Sequence, residues 1–308
     1  MNNPTIYIIG AGAIGKVLAV FLKQNGKNVK LLRGSVTNEP TVTSNLTVEL
    51  INQPGVTASV EEATLDKFER LDGIIVITSK SFGNEELARK LKEKAGRSLL
   101  VLLQNGLGVE QSFLDQGFEE VHRCVLFATS QPTGENVFRF QPVSESAIGV
   151  VKGSVANLNE VVSALHTQSF PFRVEENIQK VIWKKAISNS VFNSVCPLLE
   201  IDNGIFHRNE KALAIAKRVI NECVTIANVA GVDLKEEEVM DNLLKISKAS
   251  DGQLISTLQD IRNKRRTEID TFNFAIASLA KNFNKESWVT ETRLLGELTK
   301  LKSELNLH

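Results

Sequence analysis

Apolar positions fall into two regimes along the chain. In the first half, short β-rich runs alternate with helical stretches. "TIYIIG" (5–10) has strand length, and "IGKVLAVFLKQNG" carries helical periodicity to Gly26, placed just past a helix end. "NVKLLR" (28–33) predicts a second strand. "DGIIVITSK" (72–80) and "SLLVLLQNG" (98–106) are continuous apolar runs bounded by turn residues, the pattern of parallel strands buried on both faces. This rhythm predicts a doubly wound sheet with right-handed crossovers. Residues 34–62, with "QPG" at 53–55, predict edge strands or a hairpin. "HRCVLFATSQPTGENVFRFQP" predicts two antiparallel strands around a Pro-Thr-Gly turn, and "PFRVEE" (171–176) the last strand of this half.

After Glu176 the periodicity turns helical and stays so, with helices predicted over 177–195, 208–230, 235–248, 268–283 and from about 290. The expected fold class is α/β, with a doubly wound domain over 1–176 and an all-α domain over 177–308. The first of these helices contains "VIWKKAISNSVFN" (181–193). Lys185, Asn189 and Asn193 stand at i, i+4 and i+8, which stacks them in one line on a cylinder that is apolar nearly all round. Such a helix should be buried, and a buried ammonium and amides need partners.

Length and charge narrow the partners. The chain has 308 residues, enough for about two domains with a core each. Lys plus Arg and Asp plus Glu number 36 each, a balance that argues against nucleic acid or an anionic membrane as the main partner. Cys124, Cys196 and Cys223 lack any CxxC spacing and read as small buried apolar residues. His122, His166, His207 and His308 show no metal-ligand spacing. No targeting segment or membrane-length apolar window is visible, so a cytoplasmic protein is the expectation. A homodimer is compatible with the sequence but has no signature in it.

"IYIIGAGAIGKVL" sets Gly10, Gly12 and Gly15 in G-x-G-x-x-G, directly after a strand and opening a helix. Gly10 allows the tight turn, Gly12 lets the backbone approach a pyrophosphate, and Gly15 permits close helix–sheet packing. With Ala13 and Ile14 they form a helix N-terminus whose free N–H groups favour phosphate. The expected fold is therefore a Rossmann domain that binds a dinucleotide. The second strand ends in Arg33 with no acid, and a guanidinium suits the 2′-phosphate of NADP(H); a solvated surface arginine is the other reading. Lys80 and Asn105 arrive at the carboxyl ends of two further strands, where open α/β sheets hold ligands. Asn105-Gly106 reads equally as turn punctuation.

A nicotinamide cofactor narrows the chemistry to hydride transfer, and reducing a ketone needs a proton donor at the oxygen. The histidines stand in poor contexts for that task. Lys185 is the better candidate if a carboxylate keeps it charged, with Asn189 and Asn193 supplying amides; a lysine snorkelling to water reads equally well. A second polar cluster lies in "QLISTLQDIRNKRRTEIDTFN" (253–273). There Ser256 could hold a carboxylate and Glu268 could partner Lys185, although Thr267-Glu268-Ile269-Asp270 also resembles a helix-starting capping box.

Together "GAGAIG", Lys80 in "TSK", "QNGLG", "WKKAISNSVFN" and "STLQDIRNKRRTEID", in that order, resemble the ketopantoate reductase (2-dehydropantoate 2-reductase) family. The resemblance implies a Rossmann domain followed by a helical domain, and reduction of ketopantoate to pantoate with NADPH on the route to pantothenate and coenzyme A. By position it implies Lys185 as the catalytic lysine and Glu268 as its supporting acid. Asn105 would contact cofactor and substrate, while Asn189, Asn193 and Ser256 would hold the substrate. Gly10, Gly12, Gly15, Arg33 and Lys80 would lie on the cofactor side. Two departures bear on the substrate. Gln253 stands where the pattern commonly has asparagine, and Ser194 follows the second asparagine where a proline is usual. A relative acting on another 2-oxo acid, or a non-catalytic NADP-binding sensor, are the alternative expectations.

Overall fold

The computed structural model describes residues 3–51 and 53–307, which leaves His308 outside the described residues. Packing divides the chain into two compact units. The first holds the residues up to Gln104 together with Val109–Ile178, and the second holds Asn105–Gly108 with the residues from Gln179 onward.

The first unit begins β1 (Thr5–Ile9), α1 (Ala13–Gln24), β2 (Val29–Arg33), β3 (Val42–Leu50), β4 (Gln53–Thr64), β5 (Gly73–Ile77), α2 (Asn84–Lys92) and β6 (Leu99–Leu102). It continues through α3 (Gln111–Asp115), β7 (Val121–Val125), β8 (Ala128–Gly134), β9 (Val137–Pro142), β10 (Ser146–Lys152), α4 (Val155–Leu165) and β11 (Phe172–Val174). The strands form one sheet in the order β11-β10-β7-β6-β5-β1-β2-β4-β3-β9-β8. Its middle, β4-β2-β1-β5-β6-β7, is parallel throughout.

Strand alternation explains the double winding. Ile6, Ile8, Ile74 and Val76 point to the face covered by α1 and α4, whereas Ile9, Ile75 and Ile77 point to the face covered by α2 and α3. Both faces are apolar, so these strands read as unbroken hydrophobic runs. Gly26 has φ +70° just past α1, as its position predicted.

The flanks differ from expectation in detail. β3 and β4 do form a hairpin, but Gln53-Pro54-Gly55 opens β4 instead of making the turn. Likewise β8 and β9 are antiparallel, yet Pro132-Thr133-Gly134 lies at the end of β8 and the reversal falls at Glu135-Asn136, where Asn136 adopts φ +59°. Asparagine tolerates that left-handed conformation. β10 and α4 had no sequence expectation. The latter is capped by Ser154, whose Oγ accepts from Asn157 N at 3.1 Å.

The second unit is helical: α5 (Ile178–Leu199, whose first residue belongs to the first unit), α6 (Ile205–Arg208), α7 (Glu210–Val229), α8 (Glu236–Ala249), α9 (Ser256–Arg262), α10 (Asn273–Asn282) and α11 (Thr290–Leu307). α5 runs past its expected end and takes Pro197 inside the helix. The capping box expected at 267–270 is absent. Residues Ile269–Thr271 make a single 3₁₀ turn without a side-chain cap, and α10 starts only after Phe272 leaves helical geometry at φ −112°, ψ −94°. Cys124, Cys196 and Cys223 are all buried, and burial pushes the thiols of Cys196 and Cys223 up to about 12. Among the described residues no helix is long and apolar enough to cross a membrane.

Candidate active site

At the carboxyl end of β1 the chain turns through Gly10 at φ +125°, and Gly10 N donates to Leu32 O at 2.9 Å. The three glycines meet different surroundings. A Cβ on Gly10 would lie 2.4 Å from Ser79 N, and one on Gly15 only 2.0 Å from Gly10 O. Both glycines are therefore required by packing within the protein. A Cβ on Gly12 would meet nothing within 4 Å. Gly12 also caps α1 in extended geometry without a side-chain hydrogen bond, and no acidic residue occupies the first turn. The open space thus faces N–H groups at the positive end of a helix, which fits a dinucleotide pyrophosphate. Ala13, Ile14 and Gly15 form that first turn.

Arg33 closes β2, and it is not a free surface cation. Its Nη1 pairs with Glu39, its Nη2 donates to Pro40 O at 3.4 Å, and its Nε lies 3.1 Å from Glu62 Oε1. The Nε–H is not aimed at Glu62, so that contact is an ion pair and not a hydrogen bond. Glu62 in turn lies 3.6 Å from Lys16 Nζ on α1. Lys80 is exposed just beyond β5.

Gln104 ends the β6 segment in a buried amide pair. It exchanges hydrogen bonds with Asn84 at 2.7 and 2.8 Å, while its Nε2 also donates to Ser79 O at 2.8 Å. Neither partner was singled out in the sequence, because buried amides at strand ends carry no periodic signal.

In the second unit, α5 brings Lys185 and Asn189 to half-buried positions and buries Asn193 to 1% exposure. Both ends of the Asn193 amide are engaged. Its Nδ2 donates to Asn189 O at 3.1 Å, and its Oδ1 accepts from Ser256 Oγ and Thr257 N, both at 3.3 Å. The Thr257 N–H in the first turn of α9 thus receives its acceptor from α5, and Ile255 at the cap position supplies none. Two stretches 63 residues apart in the chain are joined by one amide.

A second junction ties the loop after Asn105 to the backbone of the Glu268 segment. Leu107 N donates to Thr271 O at 2.9 Å, while Thr271 N and Oγ1 both donate to Glu268 O at 2.9 Å. Gly106, at φ +98°, makes this approach feasible, since a Cβ there would lie 2.4 Å from Thr271 Cβ. Gly106 is therefore required by the packing of its loop against Thr271. Thr271, which no sequence pattern marked, is the partner that holds it. The departures near Asn193 are also visible: Ser194 Oγ donates back to Ser190 O at 2.6 Å, and Gln253 is exposed. Among the described residues no group of three or more His, Cys, Asp or Glu is arranged to hold a metal.

Comparison with known proteins agrees with this anatomy. A family model described as "Ketopantoate reductase PanE/ApbA" matches residues 6–153, and one described as "Ketopantoate reductase PanE/ApbA C terminal" matches residues 177–301. The 2-dehydropantoate 2-reductase of Pyrococcus horikoshii is 30% identical over 307 residues, covering 97% of this chain and 98% of its own. A ketopantoate reductase of this family from Ralstonia eutropha superposes with a TM-score of 0.83 at 24% identity, over 99% of this chain and all of that one. D-mandelate dehydrogenase, solved with NADH and anilino(oxo)acetate, gives a TM-score of 0.82 at 21% identity, over 98% and 99% of the two chains. With both halves matched and a relative at this identity along nearly the whole length, the chain belongs to the ketopantoate reductase family of oxidoreductases.

Proposed function

We propose that this protein reduces a 2-oxo acid to the corresponding 2-hydroxy acid, with ketopantoate as the first substrate to test and NADPH as a reductant. In this reading residues 1–176 bind the cofactor and residues 177–308, joined by Asn105, bind substrate and carry the proton chemistry. The nicotinamide, when bound, supplies the hydride that reduces the ketone carbon. Lys185 gives its proton to the ketone oxygen, so that hydride and proton together complete the alcohol. Glu268 orients Lys185 and keeps it charged. Asn189, Asn105 and Ser256 hold the substrate's polar groups. Asn193, with its amide already bonded to Ser256 and Thr257, serves by fixing Ser256 as much as by touching substrate. On the cofactor side Gly10, Gly12, Ala13, Ile14 and Gly15 cradle the pyrophosphate, while Arg33 and Lys80 supply positive charge.

The observation that carries this reading is that one helical unit bonds Asn193 to Ser256 and, through Leu107 and Thr271, bonds the loop after Asn105 to the Glu268 carbonyl. A binding-only sensor has no need of it. A different 2-oxo acid is the second reading, supported by Gln253 and Ser194 beside the substrate residues and by the structural likeness to a dehydrogenase of an aromatic hydroxy acid. The test is NADPH oxidation against ketopantoate, 2-ketoisovalerate, pyruvate and phenylglyoxylate. Turnover highest with ketopantoate is expected. Preference for phenylglyoxylate would select the second reading, and no turnover with any would leave a dinucleotide-binding module.

A further inference from the structure

An acid at the end of the second strand is the usual partner of ribose hydroxyls, and a cation there the usual partner of a 2′-phosphate. This chain presents both. β2 itself ends in Arg33, but the fold returns two carboxylates to the same point. Glu39 comes from the segment after β2, and Glu62 from β4, whose register sets it beside Leu31. The side chains of Arg33, Glu39 and Glu62 are 24%, 45% and 22% exposed, so the cluster is reachable from solvent without being loosely solvated. With Lys16 the group has two positive and two negative charges and no net charge.

A 2′-phosphate carries close to two negative charges. To reach Arg33 it must displace Glu39 from Nη1 or lie beside it, and it meets Glu62 on the other side. A 2′-hydroxyl meets no such opposition and can donate to either carboxylate. We propose that Glu39 and Glu62 are specificity-determining residues that offset the attraction of Arg33 for the 2′-phosphate. The chain then uses NADH as well as NADPH and discriminates between them weakly. This rests on the dinucleotide site at the glycine loop proposed above and concerns only which dinucleotide it accepts.

The test is titration of NADPH and NADH by nicotinamide fluorescence without any oxo acid, so that the identity of the substrate does not enter. Wild-type dissociation constants for the two cofactors should agree within about tenfold. Glu39→Gln should tighten NADPH about fivefold, the scale of an exposed ion pair, and the double variant with Glu62→Gln more, while NADH binding stays level or weakens. Arg33→Met should weaken NADPH and spare NADH. A wild-type preference for NADPH above a hundredfold, or a ratio unmoved by the glutamine variants, overturns the proposal while leaving the dinucleotide site intact. If neither dinucleotide binds, both the proposal and the dinucleotide site are overturned. Thermal melts of the variants, expected to match the wild type, confirm that the ratio reports binding.

Discussion

The glycine-loop end of the first unit and the polar junctions of the second unit are built in opposite ways. The first is contiguous and made of backbone: within six residues, Gly10 and Gly15 serve packing and Gly12 leaves room. The second is dispersed: one buried amide joins Asn193 to Ser256 and Thr257, and hydrogen bonds through Thr271 join the loop after Asn105 to the Glu268 carbonyl. A contiguous backbone site tolerates substitution wherever the side chain points into open space. A dispersed site fails whenever a junction is lost.

The largest effect should come from the second unit. Lys185→Ala is expected to lower kcat by about 10²-fold or more while dinucleotide binding by fluorescence stays unchanged. Near-wild-type turnover would remove the lysine from the chemistry and with it the contrast drawn above.

Next come the glycines. Gly15→Val meets Gly10 O and should unfold or severely destabilise the first unit. Gly12→Ala adds a Cβ with nothing within 4 Å, so the melting temperature should hold while dinucleotide affinity falls about tenfold or more through loss of the close backbone approach. Equal destabilisation by both would show that Gly12 is a packing residue after all.

Gly106→Ala is the matching test in the second unit. It combines φ +98° with a Cβ placed against Thr271, and about 1–3 kcal/mol of stability should be lost in chemical denaturation. Turnover should fall along with it, because the junction to Glu268 shifts. Stability loss without a change in turnover would separate the loop from the site.

The smallest effect is a pH dependence away from both sites. Arg208 holds the Asp202 carboxyl at about 2, first by direct hydrogen bonding, with Gly204 N and Gly252 N assisting. A folded-state value below the unfolded one, near 4, adds stability above that pH, and the gain is lost as pH falls toward 2. Arg208→Ala should therefore lower the melting temperature slightly at pH 6 and leave it unchanged near pH 2. The Arg208 and Asp202 side chains are 41% and 20% exposed, and solvent screening keeps the effect small.

Much of this protein was legible in its sequence because the physics involved is local. Strand and helix periods, the glycine spacing and the i, i+4, i+8 line of Lys185, Asn189 and Asn193 depend on neighbours within a few residues. The alternation of buried strands with helices was enough to give the doubly wound sheet. Local reasoning failed where the partner was remote. α9 has no cap of its own because Asn193 supplies the acceptor from 64 positions away, so no capping residue marked its start. The apparent capping box at 267–270 is spent on a 3₁₀ turn, since Thr271 O accepts from Leu107 N.

The sequence by itself determined the two-part architecture, the open glycine turn and the family's polar residues in their order. Only the tertiary structure decided what those residues touch. It buried Asn193 and engaged its amide, it tied the loop after Asn105 to the Glu268 turn, and it brought Glu39 and Glu62 to an arginine that ends a strand without an acid. Hydrogen bonds and ion pairs act over a few ångströms in space whatever their separation in the chain, and sequence periodicity carries no record of such distances.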